Sequence, residues 1–143
     1  IERYDDAISC YERARGNKTL RNDARYKIAR TYALAENWDA AYAAFTALRT
    51  HDEDNAALKA SCAYVTAMSG RTDEALRQYK ALVEQYPYDE SLLANYITLL
   101  LSDGRAERAE PEVARFKETF PDSTAYDTLE RTLSALLDAE AAH

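Results

Sequence analysis

Residues 75–87 read ALRQYKALVEQYP, and this stretch decides the fold because its pattern returns along the chain at a spacing of 34 residues. An alanine opens each copy, an aromatic or branched residue follows four positions later, and another apolar residue comes three positions after that. The three columns are Ala7, Ala41, Ala75 and Ala109; Tyr11, Phe45, Tyr79 and Val113; and Ala14, Leu48, Leu82 and Phe116. Because separate columns agree on one period, the sequence predicts tandem structural repeats.

Each repeat is predicted to be a pair of helices. Apolar residues recur at steps of three and four, which is the stripe of a half-buried helix. Short breaks at 36–37, 70–71 and 104–105 separate the helices of a pair, and Gly70 and Gly104 suit the left-handed residue that closes a helix. Pro87 and Pro121 mark repeat boundaries, since proline suits the start of a helix. Two further columns keep the spacing: Ile28, Cys62 and Tyr96, and Ala29, Ala63 and Ile97.

The alanine column has a physical cause. Where two helices cross closely, a side chain larger than a methyl group would push their backbones apart, so a leucine in this column is expected to overpack the core at a cost of about 1–3 kcal/mol. Pro111 falls inside the predicted second helix of the third repeat. It is expected either to kink that helix or to delay its start to about Arg108.

These features resemble the tetratricopeptide repeat family, and the resemblance extends from residue 2 to residue 122. It implies an all-α fold, a right-handed α-α superhelix of about eight antiparallel helices. Glu53, Ile97 and Val113 depart from the family pattern without changing the expected fold. The predicted segments are 1–16, the second helix of a truncated repeat; 22–55, 56–89 and 90–123, three full repeats; and 124–142, a C-terminal capping helix. We expect further repeats upstream, because the first helix of the truncated repeat is missing.

Composition and charge argue against several functions. The formal charge is −7 and no stretch gathers Lys and Arg into a stripe, so we expect no nucleic-acid binding. No window approaches the ~20 apolar residues that cross a bilayer, so we expect no membrane insertion. The compartment stays open, with the cytoplasm slightly favoured.

The sequence contains no set of residues typical of an active site, so we expect no catalysis, no cofactor and no metal. His51 opens the acidic run 51–54, but without a second His or Cys nearby a solvated helix end is favoured over a metal site. The other histidine is His143. Cys10 and Cys62 lie in helical patterns and are predicted to be small buried side chains, although a disulfide or metal role stays open.

The resemblance also implies a partner site. In this family the first helices of successive repeats line a concave groove that holds a peptide or a helix of another protein, so the expected function is a protein–protein interaction scaffold. Tyr64 and Arg30 are expected to contribute most, because Tyr and Arg are frequent hot spots. The residues expected to face the groove are Tyr26, Lys27, Arg30, Leu34, Ala60, Tyr64, Met68, Asn95, Thr98 and Leu101, together with Asp23, Ala33, Ala67, Ser91 and Ala94.

Some of these positions invite a second interpretation. Ala33 and Ala67 could pack between neighbouring repeats instead of facing a ligand. Some family members clamp the acidic tail of a chaperone with several basic and amide side chains. Arg30 is the one basic residue at the matching positions here, so a clamp of that kind is not expected.

Three functions other than a scaffold are considered as alternatives for this chain. The array could be a self-assembly module, and self-association of a truncated end would mimic that behaviour. It could be an accessory domain of a larger enzyme. The related pentatricopeptide class reads RNA, but the spacing of 34 residues and the acidic balance both argue against that class.

Overall fold

The computed structural model of the protein describes residues 6–7, 18–50 and 55–142, and the side chains of these residues except 18–22. This part of the chain contains seven helices and no strand, which confirms the predicted all-α class; residues 6 and 7 are also helical. The helices are α1 (Lys18–Leu34), α2 (Trp38–Arg49), α3 (Ala56–Met68), α4 (Thr72–Gln85), α5 (Glu90–Ser102), α6 (Ala106–Thr119) and α7 (Tyr126–Ala141). The chain divides into two compact units, Ile1–Arg71 and Thr72–His143.

The core of the first unit forms where α2 packs against both α1 and α3. Ala29 of α1, Ala41 and Phe45 of α2 and Cys62 of α3 belong to one buried cluster, so the repeat columns converge on a single core. Ala29 and Ala41 are completely shielded from solvent. Small side chains at this point allow the backbones of α1 and α2 to approach closely, which is the packing that the alanine column predicts.

The core of the second unit uses the same columns. α5 packs against α4, α6 and α7, and α6 also packs against α7. Ala109 and Phe116 of α6 are completely shielded from solvent, as is Ile97 of α5. On α7, Leu129 and Leu133 are buried, whereas Glu130 and Arg131 are exposed, which is the distribution expected of a helix that covers the core on one side and meets solvent on the other.

The predicted breaks are tight turns with one shared geometry. Glu36, Gly70 and Gly104 adopt left-handed backbone angles, with φ of 57°, 87° and 72°. The N–H of the following residue donates to a carbonyl five positions back, which closes the preceding helix. These bonds join Asn37 to Tyr32, Arg71 to Thr66 and Arg105 to Leu100, at 2.9, 3.1 and 2.9 Å. The break positions predicted from the sequence are therefore confirmed.

Two arginines that follow these turns make structural contacts. In the first unit, Arg71 bonds Asp39 at 3.1 Å, and its guanidinium lies 4.0 Å from the ring centroid of Tyr42. In the second unit, Arg105 bonds Asp73. Because both pairs span 32 residues, they link neighbouring repeats in the same way. Exposed ion pairs contribute little stability, and these arginines are already engaged within the chain.

Pro111 does not delay the helix that contains it. α6 begins at Ala106, so of the two expected alternatives, a kink or a start delayed to about Arg108, the delayed start is wrong. The side chain of Pro111 is exposed and the residue is in the second turn, where the loss of its N–H removes the one bond that would have reached the carbonyl of Glu107. Ala106 and Ala109, which precede the proline, are buried, so the first turn of α6 contributes to the core of the second unit.

Cys62 is a buried thiol, as predicted. It is 3% exposed, and its Sγ lies 3.4 Å from the carbonyl oxygen of Phe45, to which it donates. Burial raises the pKa of the Cys62 thiol from 9.0 to about 11, and the positive charge of Arg49 opposes that shift in part. Cys10, His51 and His143 lie outside the described residues.

This raised pKa makes stability depend on alkaline pH. Because the folded state holds the Cys62 proton more tightly than the unfolded state, the stability that this preference contributes is complete below pH 9 and is lost between pH 9 and 11. Relative to a Cys62→Ala variant, the parent chain is expected to lose at most about 2–3 kcal/mol over that window in urea unfolding. The two chains differ only at residue 62, so the difference between their curves reports the thiol. Parallel curves for the two chains would contradict the burial argument.

Candidate partner-binding face

One face of α1 presents residues at steps of four: Tyr26, Arg30 and Leu34. Tyr26 is half-buried and its ring meets Phe45 of α2 edge-on, with centroids 6.2 Å apart and planes at 82°. The guanidinium of Arg30 is exposed and lies 5.9 Å from the ring centroid of Tyr26. Leu34, at the end of the helix, is 66% exposed. This face therefore offers an anchored aromatic ring, a cation and an aliphatic side chain within two turns.

The equivalent face of α3 presents Ala60, Tyr64 and Met68, each 34 residues after its counterpart on α1. Tyr64 and Met68 are 48% and 45% exposed, although both are large and apolar. The ring of Tyr64 packs edge-on against Trp38, the first residue of α2, with centroids 6.1 Å apart and planes at 80°. Half-buried Ala60 adds little bulk, so Tyr64 and Met68 dominate this face.

Trp38 is a positioning residue that the sequence analysis did not single out. It follows Leu34 across the α1–α2 turn and its ring holds Tyr64, so it links the end of α1 to the face of α3. Its position directly after the predicted break at 36–37 could have identified it. The side chains of Tyr26, Arg30 and Leu34 on α1 and of Tyr64 and Met68 on α3 are named here the anchor face.

The anchor face holds most of the exposed large apolar surface. Among the side chains that the structure describes, four large hydrophobic residues are exposed, and three of them are Leu34, Tyr64 and Met68. The fourth, Tyr88, is 83% exposed in the loop between α4 and α5. Leu34 and Met68 occupy equivalent repeat positions, and Tyr64 lies one turn before Met68 on the same face of α3.

Lys27 stands beside the anchor face. Its side chain is exposed on α1, and its backbone carbonyl accepts a hydrogen bond of 2.6 Å from the hydroxyl of Thr31. The two alanines with a second interpretation, Ala33 and Ala67, are both half-buried, so they offer little surface to a ligand.

The predicted groove residues of the second unit differ in character. Asn95 and Thr98 are exposed on α5, and the Thr98 hydroxyl donates to the carbonyl of Ala94 at 2.8 Å. Leu101 is only 7% exposed, so we leave it out of the candidate site. It occupies the position of Ala33 and Ala67 in the earlier repeats, and a leucine there is covered by the helices that pack on α5.

The described residues give little support for other kinds of site. Within 6–7, 18–50 and 55–142, no three side chains of His, Cys, Asp or Glu form a group suited to a metal ion. Of the helices that the structure describes, none combines the length and the apolar character needed to cross a membrane.

The fold is shared with known repeat proteins. A tetratricopeptide repeat protein from Parabacteroides merdae has a TM-score of 0.78 at 15% identity, over 95% of this chain and 53% of that one, so the chain spans about half its length. YrrB, described as a tetratricopeptide repeat protein with an unusual peptide-binding site, has a TM-score of 0.70 at 18% identity, over 96% of this chain and 76% of that one. At these identities the likeness shows the fold alone.

Sequence comparison agrees with the fold. The chain is 26% identical over all its 143 residues to an uncharacterized lipoprotein of Treponema pallidum (strain Nichols), of which it covers 73%. Two sequence models of the tetratricopeptide repeat match it, one over residues 1–59 and the other over residues 67–133. Together with the repeat columns, the paired helices and the shared turns, these matches show that the chain belongs to the tetratricopeptide repeat family.

Proposed function

We propose that this chain is a protein–protein interaction module that holds a peptide segment or a helix of a partner on its anchor face. Membership of the tetratricopeptide repeat family supports the general role of a scaffold. The observation that carries the specific proposal is the exposure of Leu34, Tyr64 and Met68 on the equivalent faces of two successive first helices.

The energetics of these side chains favour binding. Full burial of a large apolar side chain is worth about 1.5–3 kcal/mol. Tyr64 and Met68 are 48% and 45% exposed, so a partner that covers them gains roughly half of that free energy for each. Trp38 already holds the Tyr64 ring at 6.1 Å, which reduces the side-chain entropy lost on binding. Tyr26 is half-buried and packs edge-on against Phe45, so its ring adds a fixed apolar surface beside Arg30.

A second candidate function, self-assembly, uses the same observation. Exposed apolar residues on one face could cover a second copy of the chain as well as a different protein. Sedimentation of the parent chain and of a Tyr64→Ala/Met68→Ala variant separates the two functions. If the face binds a different protein, the parent and the variant alone are expected to sediment with the same molecular mass. If the face mediates self-assembly, the parent is expected to form an oligomer that the variant does not form.

Partner capture tests the proposed function directly. The Tyr64→Ala/Met68→Ala variant is expected to weaken binding of a captured partner by about 100-fold, because each removed side chain is a large anchor of the hot-spot type. Affinity is measured by titration of the purified partner into each chain. Tyr88→Ala is the control, since it removes a tyrosine that is more exposed than Tyr64, 83% against 48%, from a loop outside the anchor face.

The melting temperature of each variant shows whether a change in affinity arises from the lost side chain or from loss of folding. Both variants change exposed side chains, so each is expected to melt close to the parent chain. A partner that binds the parent, the Tyr64→Ala/Met68→Ala variant and the Tyr88→Ala variant with equal affinity would place the binding site elsewhere and refute the proposal.

A further inference from the structure

The two helices that form the anchor face carry a net positive charge. α1 contains five basic residues and one acidic residue, and α3 contains one basic residue and none that is acidic. The formal charge of these two helices is therefore +5, within a chain whose formal charge is −7. By contrast, α4, α6 and α7 each contain more acidic than basic residues. The charge is thus segregated toward the helices that present the apolar anchors.

Arg30 places part of this charge on the anchor face itself. It stands one turn after Tyr26 and one turn before Leu34, and at the repeat position that Tyr64 occupies on α3. None of the described carboxylates lies within ion-pair distance of it, in contrast with Arg71 and Arg105, which bond Asp39 and Asp73. The guanidinium is held over the Tyr26 ring and is exposed to an incoming group.

We propose that the occupant of the anchor face is an acidic peptide segment with large apolar side chains, an inference that rests on the proposed function. Its apolar residues cover Leu34, Tyr64 and Met68, and one of its carboxylates pairs with Arg30. A guanidinium that lies near an aromatic ring, here 5.9 Å from its centroid, and still presents N–H groups suits a carboxylate well. The wider charge of α1, which includes exposed Lys27, speeds the encounter with an acidic segment.

The same features favour a peptide over a nucleic acid. Two of the three exposed anchors, Leu34 and Met68, are aliphatic and offer no ring on which a base could stack. An acidic peptide needs only one ion pair beside its apolar contacts, and Arg30 supplies it.

Selection from a library of random dodecapeptides displayed on phage tests the proposal without a known partner. We expect the selected peptides to be enriched in Asp and Glu together with Leu, Ile, Phe or Tyr. Synthetic copies are then titrated against four variants: Arg30→Glu, Arg30→Lys, Tyr64→Ala/Met68→Ala and Arg77→Glu. Arg77 is exposed on α4, so Arg77→Glu changes the net charge equally at a position outside the face.

The expected outcome is a loss of about tenfold or more in affinity for Arg30→Glu, partial retention for Arg30→Lys, and little change for Arg77→Glu. Affinity for the parent chain should also fall as salt is raised. Peptides that need Tyr64 and Met68 but are neutral, or bind Arg30→Glu as well as the parent, would overturn the acidic occupant and leave the proposed function standing.

Two other results would overturn the binding of a peptide altogether, and not only its acidic character. If no peptide is selected, or if the selected peptides bind the Tyr64→Ala/Met68→Ala variant as well as the parent, both the proposed function and the acidic occupant fail. If a labelled single-stranded RNA binds the parent more tightly than any selected peptide and loses affinity with Arg30→Glu, the basic helices serve a nucleic acid and the peptide proposal is wrong.

Discussion

A Phe116→Ala variant is expected to lose about 3–5 kcal/mol of stability, a large share of what a domain of this size has. The Phe116 ring is completely shielded from solvent on α6, and its centroid lies 5.3 Å from that of Phe120. Removing it leaves a cavity in the core of the second unit and ends the aromatic contact. Urea unfolding followed by circular dichroism measures the loss.

Glu118→Ala is the matched control for this prediction. Glu118 is exposed two residues along the same helix, and alanine favours helix at least as well as glutamate, so its effect is expected to stay within about 0.5 kcal/mol. If Phe116→Ala unfolds at the same urea concentration as Glu118→Ala, the third repeat does not have the tightly packed core described above.

Replacing Ala41 with leucine tests the close crossing of helices in the first unit. Ala41 is completely shielded from solvent and shares its cluster with Ala29 of the facing helix, so the added carbon atoms have no space without displacing α1 from α2. The expected cost is about 1–3 kcal/mol. Leucine and alanine are both good helix formers, so the loss would report packing and not helix propensity.

Fluorescence of Trp38 is a convenient measure of this second effect. It is the only tryptophan of the chain, and it begins the same helix as Ala41. Its unfolding transition should shift to lower urea in Ala41→Leu. Leucine at exposed Ala43 on the same helix is the control and should leave the transition almost unchanged. Equal transitions for the two leucine variants would mean that α1 and α2 do not cross closely at Ala41.

The fold was predictable because each repeat applies the same physical constraints again. Ala41 and Ala109 are buried for the same reason, and a column of such positions shows a constraint that one position alone would not. The turns at Gly70 and Gly104 were predictable because glycine adopts left-handed backbone angles at little cost, and both residues do so in the structure. Glu36 adopts the same angle without being glycine, and its place in the period was the only signal. The delayed start expected from Pro111 was wrong, because a local rule for proline does not include the burial of Ala106 and Ala109 before it.

The candidate site was less predictable, since exposure depends on what lies opposite a side chain. Tyr64 and Met68 were identified by their repeat positions, and the structure finds both exposed. Leu101 was expected at the groove by the same reasoning but is covered, because the local sequence does not reveal how neighbouring helices pack over it. The contact between Trp38 and Tyr64 joins residues far apart in sequence, and no spacing rule predicts it.

The most direct test of the anchor face uses the only methionine of the chain, Met68. Labelling the protein with methyl-¹³C methionine gives a single methyl resonance, and it arises from a side chain on the anchor face. On titration with a peptide or partner, we expect this resonance to shift or broaden in step with binding. The Met68 resonance of a Tyr88→Ala control chain is expected to behave identically. Saturating binding without any change in the Met68 resonance would contradict the account.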